Sequence, residues 1–183
     1  MRAMLRGQTR EAHARLDGLW TDRALSDRLV YAAFLRGIAG AVVPLEDCVA
    51  AAGGGAVIPD WTARRRSAAL LADLDGLGTG MRASRAVAPA GGAEVFGILY
   101  VLEGSRLGGA LLDRRAGASA DPAVLANRRF LQHGQGAGLW RSFLEQLEAA
   151  ARPAFELDRI CRRATQAFAV FEAAAQEEIA RAG

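Results

Sequence analysis

The chain has 183 residues, of which 51% are hydrophobic and only 7% aromatic, and its formal net charge is +3. That length is most simply one domain covering 1–183, with a core built mainly from Ala, Leu and Val. A charge this small does not demand a nucleic-acid partner. All the basic residues are arginine, a compositional bias without functional content.

The first helix is predicted over Met4–Gly18, with Leu5, Ala12, Leu16 and Leu19 as its apolar stripe. Arg6, Arg10, His13 and Asp17 form a second stripe that borders the first. After a turn at Trp20-Thr21-Asp22, a long helix is predicted from Ser26, as N-cap, to Ala52. Pro44 lies inside that helix and predicts a bend, and Gly53-Gly54-Gly55 ends it. No strand precedes those glycines and no Lys-Ser/Thr follows them, so they are no phosphate-binding loop. A third helix is expected over Asp60–Leu77, capped by Asp60. Its Arg64-Arg65-Arg66 run lacks the interleaved aromatics of a nucleic-acid site and reads as a solvated face. Gly78–Gly92 is a connector, followed by one apolar helix over Ala93–Leu112 and a loop with a short helix over Arg114–Asn127. The last two helices are expected over Leu139–Ala151 and Phe155–Arg181, separated by Pro153. No sustained period-two alternation occurs, so the fold class is all-α.

No apolar run is expected to reach the roughly 18–20 residues of a membrane span. The first residues lack the apolar core of a signal peptide. Cys48 and Cys161 stand apart without metal spacing and are expected to be reduced, buried residues of a cytoplasmic protein.

The least ordinary stretch is Gly97–Leu112. It reads as apolar helix, yet it contains Gly97, Gly104, Gly108 and Gly109, each costing about 1 kcal/mol relative to alanine. Spacings of seven and four put Gly97, Gly104 and Gly108 on one face. A stripe without side chains admits a close neighbour, either another helix or a flat ligand.

The chain's two histidines limit its chemistry. His13 and His133 with scattered carboxylates do not make a protein zinc site. No Glu-x-x-His pair signals a di-iron bundle, and no G-x-S-x-G elbow signals a hydrolase. A single histidine can be the axial ligand of a cofactor that brings its own chemistry, or an ordinary exposed helix residue. Asp17, one turn after His13, can accept from Nδ1–H and leave Nε2 for a metal. Arg6 and Arg10 could pair with carboxylates at the rim of a planar ligand. His133, in a Gln-His-Gly-Gln-Gly context, is expected to be a structural surface residue.

Tyr100-Val101-Leu102-Glu103-Gly104-Ser105-Arg106-Leu107-Gly108-Gly109 resembles the distal-helix signature of bacterial heme oxygenases. Thr9–Asp17, centred on His13, resembles their proximal-histidine segment. Tyr31–Leu35, Pro44-Leu45-Glu46, Asp73-Leu74 with Leu77-Gly78, Trp140–Phe143 and Phe168–Glu172 extend the resemblance along the chain. It is nearest to the bacterial branch associated with phytochrome chromophore supply or heme-iron use.

The resemblance implies a helical bundle that holds heme between the first helix and a kinked, glycine-rich distal helix. Heme would be both cofactor and substrate, opened with O2 and reducing electrons to biliverdin, CO and ferrous iron. His13 would be the iron ligand and Asp17 its partner. Tyr100, Phe168, Arg6 and Arg10 would line the heme site, with Arg159, Arg162 or Arg163 as further candidates for its propionates. Gly104, Ser105, Gly108 and Gly109 would form the catalytic wall that steers oxygen toward the ring edge. The implied partners are an electron donor such as a ferredoxin or a flavin reductase, and a bilin acceptor such as phytochrome or a reductase. The mammalian enzymes carry Gly-Asp-Leu-Ser-Gly-Gly, and aligning the final glycine pair puts Ser105 at the Asp position. A hydroxyl can hold water there but bears no charge. A non-catalytic heme carrier or sensor on the same fold is the alternative, and a cofactor-free helical interaction module is a third reading.

Overall fold

Small residues decide how closely the longest helices approach. In the computed structural model, which describes residues 1–149 and 152–182, a Cβ on Gly37 would lie 3.3 Å from Ala175 Cα, and one on Gly40 would lie 3.0 Å from Ala174 Cβ. These contacts bring α2 (Arg28–Ala51) against α11 (Ala154–Ala182). α11 is the central element and also packs on α1 (Arg2–Trp20) and α6 (Val95–Gly104). Tyr31, Phe34, Leu35, Val42, Leu45 and Val49 of α2 are buried with Ile160, Ala164, Ala167 and Phe171 of α11 in one apolar cluster. The described residues contain helices and connectors but no strand, as the periodicity predicts.

Several boundaries differ from expectation for identifiable reasons. Asp27, not Ser26, caps α2, because its carboxylate accepts from the N–H groups of Leu29 and Val30 at 2.8 and 3.0 Å. The helix continues through Pro44. Gly53 has φ +77°, a left-handed conformation suited to glycine, and it leads into the short α3 (Gly54–Val57).

The helix expected over Asp60–Leu77 is two helices, α4 (Trp61–Arg64) and α5 (Ser67–Gly76). Glu46 of α2 forces the division. Its buried carboxylate accepts from Arg66 N at 2.7 Å, Ser67 N at 3.1 Å and Ser67 Oγ at 2.5 Å, and so caps α5 from outside its own segment. Asp60 makes no side-chain cap. It accepts from Arg64 Nε at 2.6 Å, which holds its carboxyl below the ordinary range.

The helix expected over Ala93–Leu112 is likewise broken at Ser105 into α6 and α7 (Arg106–Gly117). Three short turns follow or precede the break: a 3-10 turn at Gly92–Glu94, α8 (Pro122–Ala126) and α9 (Arg129–Gln132). α10 covers Leu139–Glu148; the Ala150 and Ala151 expected to close it lie outside the described residues.

Two segments, Arg28–Ala51 and Gly92–Gly117, have mean hydropathies of 1.5 and 1.4 and are long and apolar enough to cross a membrane, which corrects the expectation that none is. In this fold 61% of the first window is buried in protein, and a helix enclosed on most sides is apolar all round.

Candidate functional site

α1 is fixed to the body along one side. Leu5, Ala12 and Trp20 are buried, Thr9 Oγ1 donates to Leu5 O at 2.8 Å, and Arg15 grips Glu172 of α11 through two bonds of 2.7 and 3.2 Å. The adjoining stripe stays in the open. His13 and Asp17 have 61% and 64% side-chain exposure, and His13 Nδ1 lies 2.9 Å from Asp17 Oδ2. The imidazole meets the buried Phe168 of α11 edge-on, with ring centroids 5.8 Å apart. With Nδ1 committed to the carboxylate, Nε2 is the nitrogen left free for a ligand.

The opposite wall is α6–α7. Its stripe of Tyr100, Gly104, Gly108, Leu111 and Arg115 follows helical spacing. At its α6 end, burial raises the Tyr100 phenol, while Thr9, Arg2 and Arg6 act in the opposite sense. At the other end, Arg115 Nη2 donates to the carbonyls of Trp20, Thr21 and Arg23 at 3.0, 2.9 and 2.6 Å. α1 packs chiefly on α11, with a smaller contact to α10.

The glycines of that wall divide by what they face. A Cβ on Gly97 would sit 2.4 Å from Ile160 O, so this glycine serves the α6–α11 contact. A Cβ on Gly104 would touch the Trp140 ring at 3.6 Å, one on Gly109 would reach Leu131 O at 3.0 Å, and one on Gly108 would meet nothing within 4 Å. Leu107 and Leu111 beside it are 65% and 55% exposed. The expected single stripe is thus a helix–helix contact at Gly97 and an open apolar wall around Gly108.

Arg6 and Arg10 are exposed. With Arg2, Ala3 and Gly7 they line a shallow concavity of about 400 Å³ at the N-terminal half of α1. Arg159 and Arg162 pair instead with Glu94 and Asp158. Arg163 is buried, with Nη2 on Ala88 O and on Cys48 Sγ. Cys48 and Cys161 are both buried free thiols. Among the described residues no group of three or more His, Cys, Asp or Glu could hold a metal, so a metal at His13 would have to arrive with ligands of its own.

Behind the Ser105 break lies a set of buried charges that the sequence reading missed. Arg64 and Arg66 are 1% and 3% exposed, which corrects their reading as a solvated face. Arg64 donates to Glu103 at 2.8 Å, Leu139 O at 2.9 Å and Ser142 Oγ at 2.7 Å. Arg106 donates to both Glu103 oxygens at 3.0 and 3.1 Å and to Arg64 O. Ser105 Oγ donates to Leu102 O at 2.8 Å and accepts from Arg66 Nη2 at 2.7 Å. His133 is half-buried, not a free surface residue. Its Nδ1 is 3.3 Å from Arg106 Nη1, and burial together with Arg106 and Arg66 lowers its pKa. The available signal was Glu46 and Glu103 inside apolar helices, since buried carboxylates require cationic or N–H partners.

No protein-family model matches the sequence, and no curated protein matches it. Among solved structures the chain is similar to the NO- and CO-bound heme oxygenase from Neisseria meningitidis, with a TM-score of 0.77 and 22% identity over 96% of this chain and 90% of that one. The two share an all-helical fold.

Proposed function

We propose that the protein is a heme oxygenase that binds heme in the cleft between α1 and α6–α7 and opens it to biliverdin. The observation that carries this reading is an exposed, carboxylate-oriented histidine on α1 together with Gly108 of α7, where an added Cβ would meet nothing within 4 Å. The fold shared with the Neisseria enzyme supports it.

The residues present fit a flat iron macrocycle. His13 would ligate the iron through Nε2. Asp17, accepting from Nδ1–H, fixes the ring's tautomer and makes Nε2 more basic. Phe168 supports the imidazole edge from below. Arg6 and Arg10, with Tyr100 near that end, would meet the propionates by charge-assisted hydrogen bonds. Gly104 and Gly108 let backbone approach the ring face, Gly109 lets α7 settle against Leu131, and Leu107 and Leu111 offer apolar cover.

Heme, when bound, supplies the iron that activates O2 and the ring carbon that is oxidised. On the distal side the chain offers no carboxylate at position 105. The Ser105 hydroxyl is held by Leu102 O and Arg66, so it orients water by accepting a hydrogen bond rather than acting as a strong acid. With heme bound, Gly108 would leave room over the ring face and Ser105 would hold water there, with no strong acid at that position. The electrons would come from a ferredoxin or a flavin reductase, and the bilin would pass to an acceptor.

The same held hydroxyl is what a non-catalytic heme carrier would also show, and turnover separates the two. Purified protein loaded with hemin is supplied with ascorbate or a ferredoxin system in air, and pigment and gas are analysed. Biliverdin and CO in equal amounts are expected. A stable heme complex yielding neither makes the protein a carrier, and failure to bind hemin removes both readings.

A further inference from the structure

At the break between α6 and α7, Leu102 O loses the regular helical donor four residues on and accepts from two side chains. These are Ser105 Oγ and Arg66 Nη2, both at 2.8 Å. The same Nη2 reaches Ser105 Oγ at 2.7 Å, so one guanidinium holds the carbonyl before the break and the hydroxyl at it. Arg66 is 3% exposed, its Cζ lies 4.8 Å from the Phe130 ring centroid, and its Nε–H has no partner among the described residues. A buried cation with an unmet donor is costly, and it is unneeded for the α4–α5 junction, which Glu46 already caps through the backbone of Arg66 and Ser67. Burial, reinforced by Arg106, pushes the guanidinium down to about 9 against the opposing pull of Glu103 and Glu46. The Arg64–Glu103–Arg106 group secures the same break from its flank.

We propose that Arg66 is a positioning residue that sets the bend of the α6–α7 wall from behind, and so governs which edge of a ligand the Gly104–Gly108 surface leaves open. The consequence for heme rests on the heme oxygenase reading; the control of the bend does not. Side chains at the break are coupled through Leu102 O: removing Arg66 leaves it the Ser105 hydroxyl, and the junction at residues 104–109 loosens while Glu103 and Arg106 still span it. The apolar stem of a methionine can still cover Phe130, so Arg66→Met is compatible with folding. Arg66→Lys keeps the charge and N–H donors but lacks the flat guanidinium that lies over Phe130 and is held in one orientation.

Hydrogen–deuterium exchange of the ligand-free protein tests the bend directly. In Arg66→Met, amides of residues 104–109 should exchange at least tenfold faster than in the parent, with α2 and α11 unchanged and Arg66→Lys in between. Unchanged exchange at 104–109, or an equal rise in every helix, overturns the proposal. Should the methionine variant fail to fold, Arg66→Lys decides by the same comparison. On hemin turnover, the parent should give one dominant biliverdin isomer and Arg66→Met a mixture. The same single isomer from both overturns the control of ring-edge selection. If the parent makes no biliverdin, the heme oxygenase reading fails, and exchange alone decides whether Arg66 holds the bend.

Discussion

His13 and Asp17 form an exposed pair whose value lies in orientation rather than stability. Replacing Asp17 with Asn should leave the fold intact while lowering hemin affinity about 10–100-fold, the usual cost of losing a ligand's orienting partner, as read by Soret titration. His133 gives a different kind of test. Its folded-state pKa is depressed by burial and by the guanidiniums of Arg106 and Arg66, while Glu46 and Glu103 pull the other way. Between that lowered value and the ordinary value near 6.5 the unfolded chain binds more protons, so stability rises with pH across the window and is lost as the pH falls through it. His133→Gln should therefore flatten the acid side of a stability-versus-pH curve, measured by urea unfolding from pH 7 to pH 4.5. An unchanged slope would remove His133 from the buried network. Neither the pairing with Arg106 nor this burial was legible in the sequence, because position 133 sits among glycines that signal a surface loop. The i,i+4 pairing of His13 with Asp17 was legible, being purely local.

At the scale of one element, the glycines of α6 and α7 answer to two different demands, and substitution separates them. Gly97→Ala would drive a methyl into Ile160 O and the backbone of α11, costing about 1–3 kcal/mol as overpacking does and lowering Tm by several degrees. Gly108→Ala meets open space and should stabilise the ligand-free protein by up to about 1 kcal/mol through helix propensity. It should nevertheless weaken hemin binding, since its methyl points where the macrocycle would lie. Thermal melts with and without hemin check both. Sequence spacing put these glycines on one face of a single helix; the break at Ser105 divides them, and their neighbours come from α11 and from open space. The break at Ser105 was hidden for the same reason. The hydroxyl there is held by a guanidinium 39 residues away in the chain, and the start of α5 likewise is held by Glu46 of α2.

For the molecule as a whole, the all-helical class and the approximate limits of α1, α2, α10 and α11 follow from apolar periodicity and from the proline and glycine punctuation between them. What periodicity cannot convey is that Arg115 of α7 holds the carbonyls at the end of α1, from Trp20 to Arg23. Leu107 and Leu111 are exposed on α7, whereas most of α6 is buried. Heme binding between α1 and α6–α7, with the iron on His13, is the proposed function. It is tested most directly by the absorption spectrum of hemin added to the parent and to His13→Ala, each with and without imidazole. A histidine-ligated Soret band in the parent, its loss in His13→Ala and its return with imidazole are predicted. The same ligated spectrum in His13→Ala without imidazole would contradict the claim.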